Sequence, residues 1–200
     1  MNKIIGLLSI AGIVLVPSAD AVVNPSYATG KVYEMRLSEN ADCTNSVRVF
    51  RTESPSEQDF VANPSFGSGA IPRGTYHCLM LQVSDMTSFK PESSEGNCVA
   101  GTTYTRDTFR TGSTSTAPDG TTISGRGAAP DNGTEDTPWS YFSTSGSMSN
   151  DGMIPSSPFP LSAPLVVNGD KAITYVVNQD GAIDGTQNPC ELGPSTISFR

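Results

Sequence analysis

The chain has 200 residues and a formal net charge of −8, with 12 lysines and arginines against 20 aspartates and glutamates. An isoelectric point near 4.5 excludes the basic surface that nucleic acid demands, and equally a peripheral hold on anionic lipid. The acids are scattered rather than blocked, which suits solubility, and the length suits one domain.

Residues 1–21 read as an export signal. Lys3 supplies the positive start, Ile4 to Val16 form an apolar run broken only by small residues, and Pro17 ends it. Ala19-Asp20-Ala21 then has the small-x-small form of a cleavage site. The run is shorter than the ~20 residues that a bilayer span takes. Cleavage is predicted after Ala21, giving a secreted or periplasmic chain from Val22 with no later membrane insertion. The signal is of bacterial style.

Alternation follows. In "KVYEMRLS", Tyr33, Met35 and Leu37 fall on one face and Glu34, Arg36 and Ser38 on the other, the pattern of a half-buried strand. "ENADCTN" is turn-rich, and "SVRVFR" sets Val47 and Val49 against Arg48, with Phe50 blurring the register. "DFVA" is a short strand candidate. In "IPRGTYHCLMLQVSD", Pro72-Arg73-Gly74 is turn chemistry, and Thr75 to Val83 is a nine-residue run of strand formers. Tyr76, Cys78 and Met80 alternate there with Leu79, Leu81 and Val83, so a central strand covered on both faces is expected.

Composition shifts after Cys98. The stretch around 101–164 is rich in Gly, Ser, Thr, Pro, Asp and Asn, and reads as a long loop-rich insertion carrying a short hairpin or two. "TTYTRDTFR" and "WSYFS" are its best strand candidates. Strand pattern resumes in "PLVV", "AITYVVN" and "STISFR". With the leader set aside no segment has helical periodicity, so residues 22–200 are predicted to form one all-β, antiparallel β-sandwich domain.

Cys43, Cys78, Cys98 and Cys190 form an even set with no Cys-x-x-Cys pair. In an oxidising compartment they are expected to form two disulfides, and four cysteines leave three pairings open. Arginines outnumber lysines eight to four, yet no basic cluster forms along the chain.

His77, the one histidine, stands beside Cys78. A Cys–His dyad needs both side chains on one substrate atom, whereas neighbours in a strand point to opposite faces. No Gly-x-Ser-x-Gly elbow and no Lys-bearing phosphate loop occurs, and zinc spacings are absent. No catalytic residue, cofactor or firm metal site is therefore expected. A hydrolase using two distant carboxylates is the alternative that composition leaves open.

"NQDGAID" resembles part of a calcium loop, with Asp180 and Asp184 as candidate ligands, but the places of its first and strongest ligands fall on Val176 and Gln187. A β-turn using Gly181 is the simpler reading. Trp139 and Tyr141, two apart in a strand candidate, offer either a stacking platform for sugar rings or core packing, and core packing is favoured. Asn132-Gly133-Thr134 is a glycosylation sequon, meaningful only in a eukaryotic secretory route.

"AIPRGTYHCLMLQVSD" resembles the turn-Pro-x-Gly-x-Tyr-strand element of transthyretin-like, prealbumin-type sandwiches on bacterial surfaces. "VYEMRLSENADCTN" is similar to uncharacterised secreted bacterial proteins in which a strand leads to a cysteine-bearing turn. Those families often carry a second cysteine at the strand's end, where this chain has Ser38. The resemblance covers about a third of the mature chain. It implies a non-catalytic extracytoplasmic sandwich and carries over no site residues. The expected role is structural or binding, towards a protein or glycan partner at the cell envelope, with a carbohydrate-binding or adhesin module built on Trp139 and Tyr141 as the alternative.

Overall fold

A computed structural model describes residues 22–63, 65–66, 71–107, 114–116, 122–124, 134–135, 137, 139–145, 159–161, 163–169, 175–192 and 196–199. The predicted leader and Asn132 of the sequon lie outside them. Short strands, and no helix, make up the regular structure of these residues. In chain order they are β1 (Val22–Val23), β2 (Pro25–Gly30), β3 (Val32–Ser38), β4 (Val47–Arg51), β5 (Gln58–Asp59), β6 (Ser65–Phe66), β7 (Gly74–Tyr76), β8 (Cys78–Val83) and β9 (Met86–Pro91). There follow β10 (Tyr104–Asp107), β11 (Thr114–Thr116), β12 (Thr122–Ser124), β13 (Trp139–Ser143), β14 (Phe159–Pro160), β15 (Leu165–Val167), β16 (Tyr175–Asn178), β17 (Ile183–Asp184), β18 (Glu191–Leu192) and β19 (Thr196–Phe199).

The expected all-β sandwich is what forms. A five-stranded sheet runs β14-β13-β8-β3-β4 and a four-stranded one runs β10-β9-β2-β5, with smaller sheets β1-β17-β18, β19-β16-β6, β15-β7 and β11-β12. Every pairing is antiparallel except β13 with β14.

The frame is one bent ribbon. β2 leads into β3 across Lys31, and β8 leads into β9 across Ser84 and Asp85. β2 pairs with β9 in one sheet while β3 pairs with β8 in another, and Ser84 N–H donates to Lys31 O at the corner between them. Glu135 clamps that corner, accepting from Lys31 Nζ at 2.7 Å and from the Tyr33 hydroxyl at 2.9 Å.

Each sheet buries its own core. Val32, Met35 and Leu37 of β3 pack with Leu79 and Leu81 of β8 and Phe142 of β13, against Tyr76 and Leu165 from the β7–β15 pair. Each such side chain contributes about 1.5–3 kcal/mol on burial. The buried Tyr76 hydroxyl is satisfied by donating to Pro72 O at 2.9 Å. The second core gathers Ala28 of β2 and Phe89 of β9 with Ile183 and the Cys98 and Cys190 sulfurs. Its close approaches need glycine. Gly96 sits at φ 54°, and a Cβ there would lie 2.1 Å from Gly185 O.

Several sequence expectations change. The nine-residue run is two strands, because the backbone changes partners at His77: Gly74–Tyr76 pairs with β15, and Cys78–Val83 pairs with β3 and β13. That change places Tyr76 in the core with Leu79 and Leu81, not with Cys78 and Met80. In "KVYEMRLS" a β-bulge between Val32 and Glu34 puts Val32, not Tyr33, with Met35 and Leu37. Of "DFVA" only Asp59 is strand, the end of β5, and the rest turns because the Asp59 carboxylate accepts from the Val61 and Ala62 amides. "WSYFS", a strand candidate within the loop-rich stretch, is indeed a strand, and an internal one between β14 and β8. "TTYTRDTFR" supplies β10, and β11 and β12 form a short hairpin in the same stretch.

Candidate binding surface

The four cysteines form two bridges, Cys43–Cys78 and Cys98–Cys190, with Cα separations of 5.3 and 5.0 Å. Cys43 reaches Cys78 from a loop over residues 39–46, taking φ 65°, while Asn45 takes φ 54°. Side chains fasten this loop to the sheet: Ser38 Oγ donates to Thr44 O, and Ser143 Oγ donates to Ala41 O. The loop lies over the face of the main sheet opposite the sandwich core, where Cys43 packs with Cys78, Met80, Trp139 and Tyr141.

This placement corrects the sugar-platform alternative. Trp139 is 5% exposed and Tyr141 is 0% exposed, so neither ring offers a flat surface to a ligand. Both are core, as packing against a disulfide on a covered face requires. His77 and Cys78 also part company: Cys78 is bonded to Cys43, while His77 Nδ1 lies 3.1 Å from Thr144 Oγ1.

The calcium-like segment is a turn. Ala182 N–H donates to Gln179 O, Gly181 takes φ 65°, and Asn178 Oδ1 accepts from the Asp180 amide. Asp184 Oδ1 accepts from the Thr186 amide and hydroxyl, and Oδ2 accepts from Gln187 Nε2. Those bonds, the Thr186 hydroxyl first, lower its carboxyl pKa. Among the described residues, no three His, Cys, Asp or Glu side chains are arranged to hold a metal.

The same sheet face carries a feature that the sequence reading missed. Cross-strand register aligns Trp139, Gln82, Glu34 and Arg51 in one row, and Tyr141, Met80, Arg36 and Arg48 in the next. Glu34 is 2% exposed, yet charged groups surround it. Its Oε1 accepts from Arg36 Nε at 2.6 Å and from Arg48 Nε at 2.8 Å, and Arg51 Nη1 stands 3.7 Å from Oε2. Burial raises the Glu34 carboxyl pKa, but the bonds and charges of Arg36 and Arg48 together outweigh it and hold the group below the ordinary carboxylate range.

A bulge makes this cluster. Met35 pairs with Phe50 and Arg36 pairs with Arg48, leaving Val49 as the extra residue on β4. Without it, Arg48 and Arg51, three apart, would point to opposite faces. With it, both share the face of Glu34, and a basic group that is dispersed along the chain becomes one in space. The available signal was Glu-x-Arg on one strand and Arg-x-x-Arg on the next. Strict alternation had assigned Glu34 to solvent.

Chemically, the cluster holds three guanidiniums over one buried carboxylate, with Glu53 2.7 Å from Arg51 as a second, exposed counter-charge. Arg36 also donates Nη1 to Ser46 Oγ. Among the described residues Arg48 engages only Glu34, through Nε, and its side chain is 49% exposed. A carboxylate this tightly paired is unsuited to proton transfer. No protein-family model matches the chain, and neither a curated protein nor a solved structure matches it.

Proposed function

We propose that this chain is an exported, disulfide-stapled β-sandwich with a non-catalytic binding or structural role at the cell envelope. The observation that carries the reading is the pairing of all four cysteines into two buried bridges. Buried disulfides of this kind persist in oxidising compartments and are rare in reducing ones. The signal-like residues 1–21 point the same way. The resemblance of "AIPRGTYHCLMLQVSD" to transthyretin-like sandwiches supports a non-catalytic module of the same type.

The test is expression of the full chain in a bacterial host, followed by fractionation and intact-mass analysis. The expected product lies in the periplasm or medium, begins at Val22, and is four hydrogens lighter than the reduced form. A cytoplasmic product with an intact leader and alkylatable thiols would overturn the proposal.

A further inference from the structure

We infer that β4 is a docking edge for an extended acidic segment of a partner protein, read as acid–apolar–acid. The inference rests on the binding half of the proposed function and is independent of export.

Among the described residues β4 ends the five-stranded sheet and pairs only with β3. Among the described residues, Val47 to Phe50 make no backbone hydrogen bond on the outer side. The strand is open to solvent, with Val47 39% exposed and the Arg48 side chain 49% exposed. An unpaired edge of this kind accepts an added strand through its main-chain groups, and the side chains beside it set specificity.

Two observations fix the chemistry of that strand. First, Arg36, Arg48 and Arg51 outnumber their counter-charges Glu34 and Glu53 on one face of the edge, in a chain whose net charge is −8. A second copy pairing β4 to β4 would bring these arginines together, so like-charge repulsion opposes a homodimer there. A partner carrying carboxylates meets attraction instead, and the half-exposed Arg48 is held by Glu34 through Nε alone among the described residues.

Second, the bulge at Val49 sets the spacing. On the inner side, Arg48 and Arg51 stand opposite Arg36 and Glu34, which are two residues apart. An outer strand crossing the same bulge likewise meets the two arginines with residues two apart. The residue between them turns to the other face, where Val47 and Phe50 lie. Acid–apolar–acid therefore complements both faces. Charge and a bulge also guard an edge against indiscriminate pairing. Here they leave one kind of strand unopposed.

The test is fluorescence anisotropy of the full mature chain at low salt with a labelled Thr-Glu-Val-Glu-Val-Thr peptide. Two control peptides accompany it: one with both Glu replaced by Lys, and one N-methylated on the amides that would meet β4. The expected result is binding of the acidic peptide alone, weakened about tenfold by Arg48→Glu. Amide exchange over residues 47–51 should slow in the complex. Arg48→Gln, which keeps side-chain length, provides a second variant if charge reversal disturbs folding.

Absence of binding to the acidic peptide would overturn the inference. So would equal binding of the N-methylated peptide, which would leave a side-chain anion site with no added strand. Neither result touches the export reading, which fractionation and mass analysis test separately.

Discussion

Arg36 and Arg48 face each other across the β3–β4 ladder, and both donate Nε to the same oxygen of Glu34. Two like charges directly opposite one another in a sheet repel. The buried carboxylate converts that repulsion into a three-centre charge pairing, and the sheet tolerates three arginines at its margin because of it.

Removing the carboxylate should therefore expose the repulsion. Glu34→Gln is expected to lower stability by about 3 kcal/mol, the low end for a broken buried pair because Arg48 and Arg51 remain half in water. Urea denaturation at neutral pH measures it.

The same pair sets a pH dependence. Since the folded Glu34 carboxyl titrates below its unfolded value, its stabilisation is complete above the unfolded pKa of roughly 4.3 and is lost as pH falls through the folded one. Stability of the wild type should fall over that acid range more steeply than stability of Glu34→Gln. Parallel curves would count against the pairing.

The two disulfides close loops of 35 and 92 residues. Loop-closure entropy assigns them about 4 and about 5 kcal/mol respectively. Replacing Cys98 and Cys190 by serine should thus cost slightly more than replacing Cys43 and Cys78. The two variants differ in spectroscopy as well. Only loss of Cys43–Cys78 releases the loop packed over Trp139, so only that variant should red-shift the fluorescence of the single tryptophan.

Trp139 in the intact protein should emit at short wavelength and resist acrylamide quenching, because it is buried on the covered face. Soluble oligosaccharides should leave its emission unchanged. A sugar-dependent shift would restore the stacking role that its burial removes.

Gly96→Ala is expected to destabilise by about 2–3 kcal/mol, combining a positive φ with a Cβ directed at Gly185 O. That contact is the one across which the Asn97 amide donates to Gly185 O. Thermal denaturation measures the loss, and Asn97 amide exchange localises it.

Strand chemistry was legible wherever large apolar residues alternate: "VYEMRLS", "VRVFR", "CLMLQV" and "WSYFS" all proved to be strands of the main sheet. β2 and β9 were not legible. Pro25 and Gly30 bound one of them and Pro91 ends the other, so both carry turn residues at their limits, and Phe89 is the only large aliphatic or aromatic core side chain of β9. Bulges at Tyr33 and Val49 left no mark in the residues, because a bulge is defined by what the neighbouring strand does. For that reason the Glu34 cluster stayed hidden: its arginines lie 12 to 15 positions apart from Arg36, and only register brings them together. The disulfide partners were undetermined for a similar reason, since Cys43 and Cys78 meet through a loop folded over a sheet face.

The bent ribbon has a dynamic consequence. Its two arms serve different sheets, yet each arm continues through the corner at Lys31 and Ser84 without a linker. Neither sheet can open by itself without fraying the corner ladder, and each core holds a disulfide. The molecule should accordingly unfold in a single cooperative transition, and the slowest-exchanging amides should form one continuous set along the ribbon instead of two separate populations.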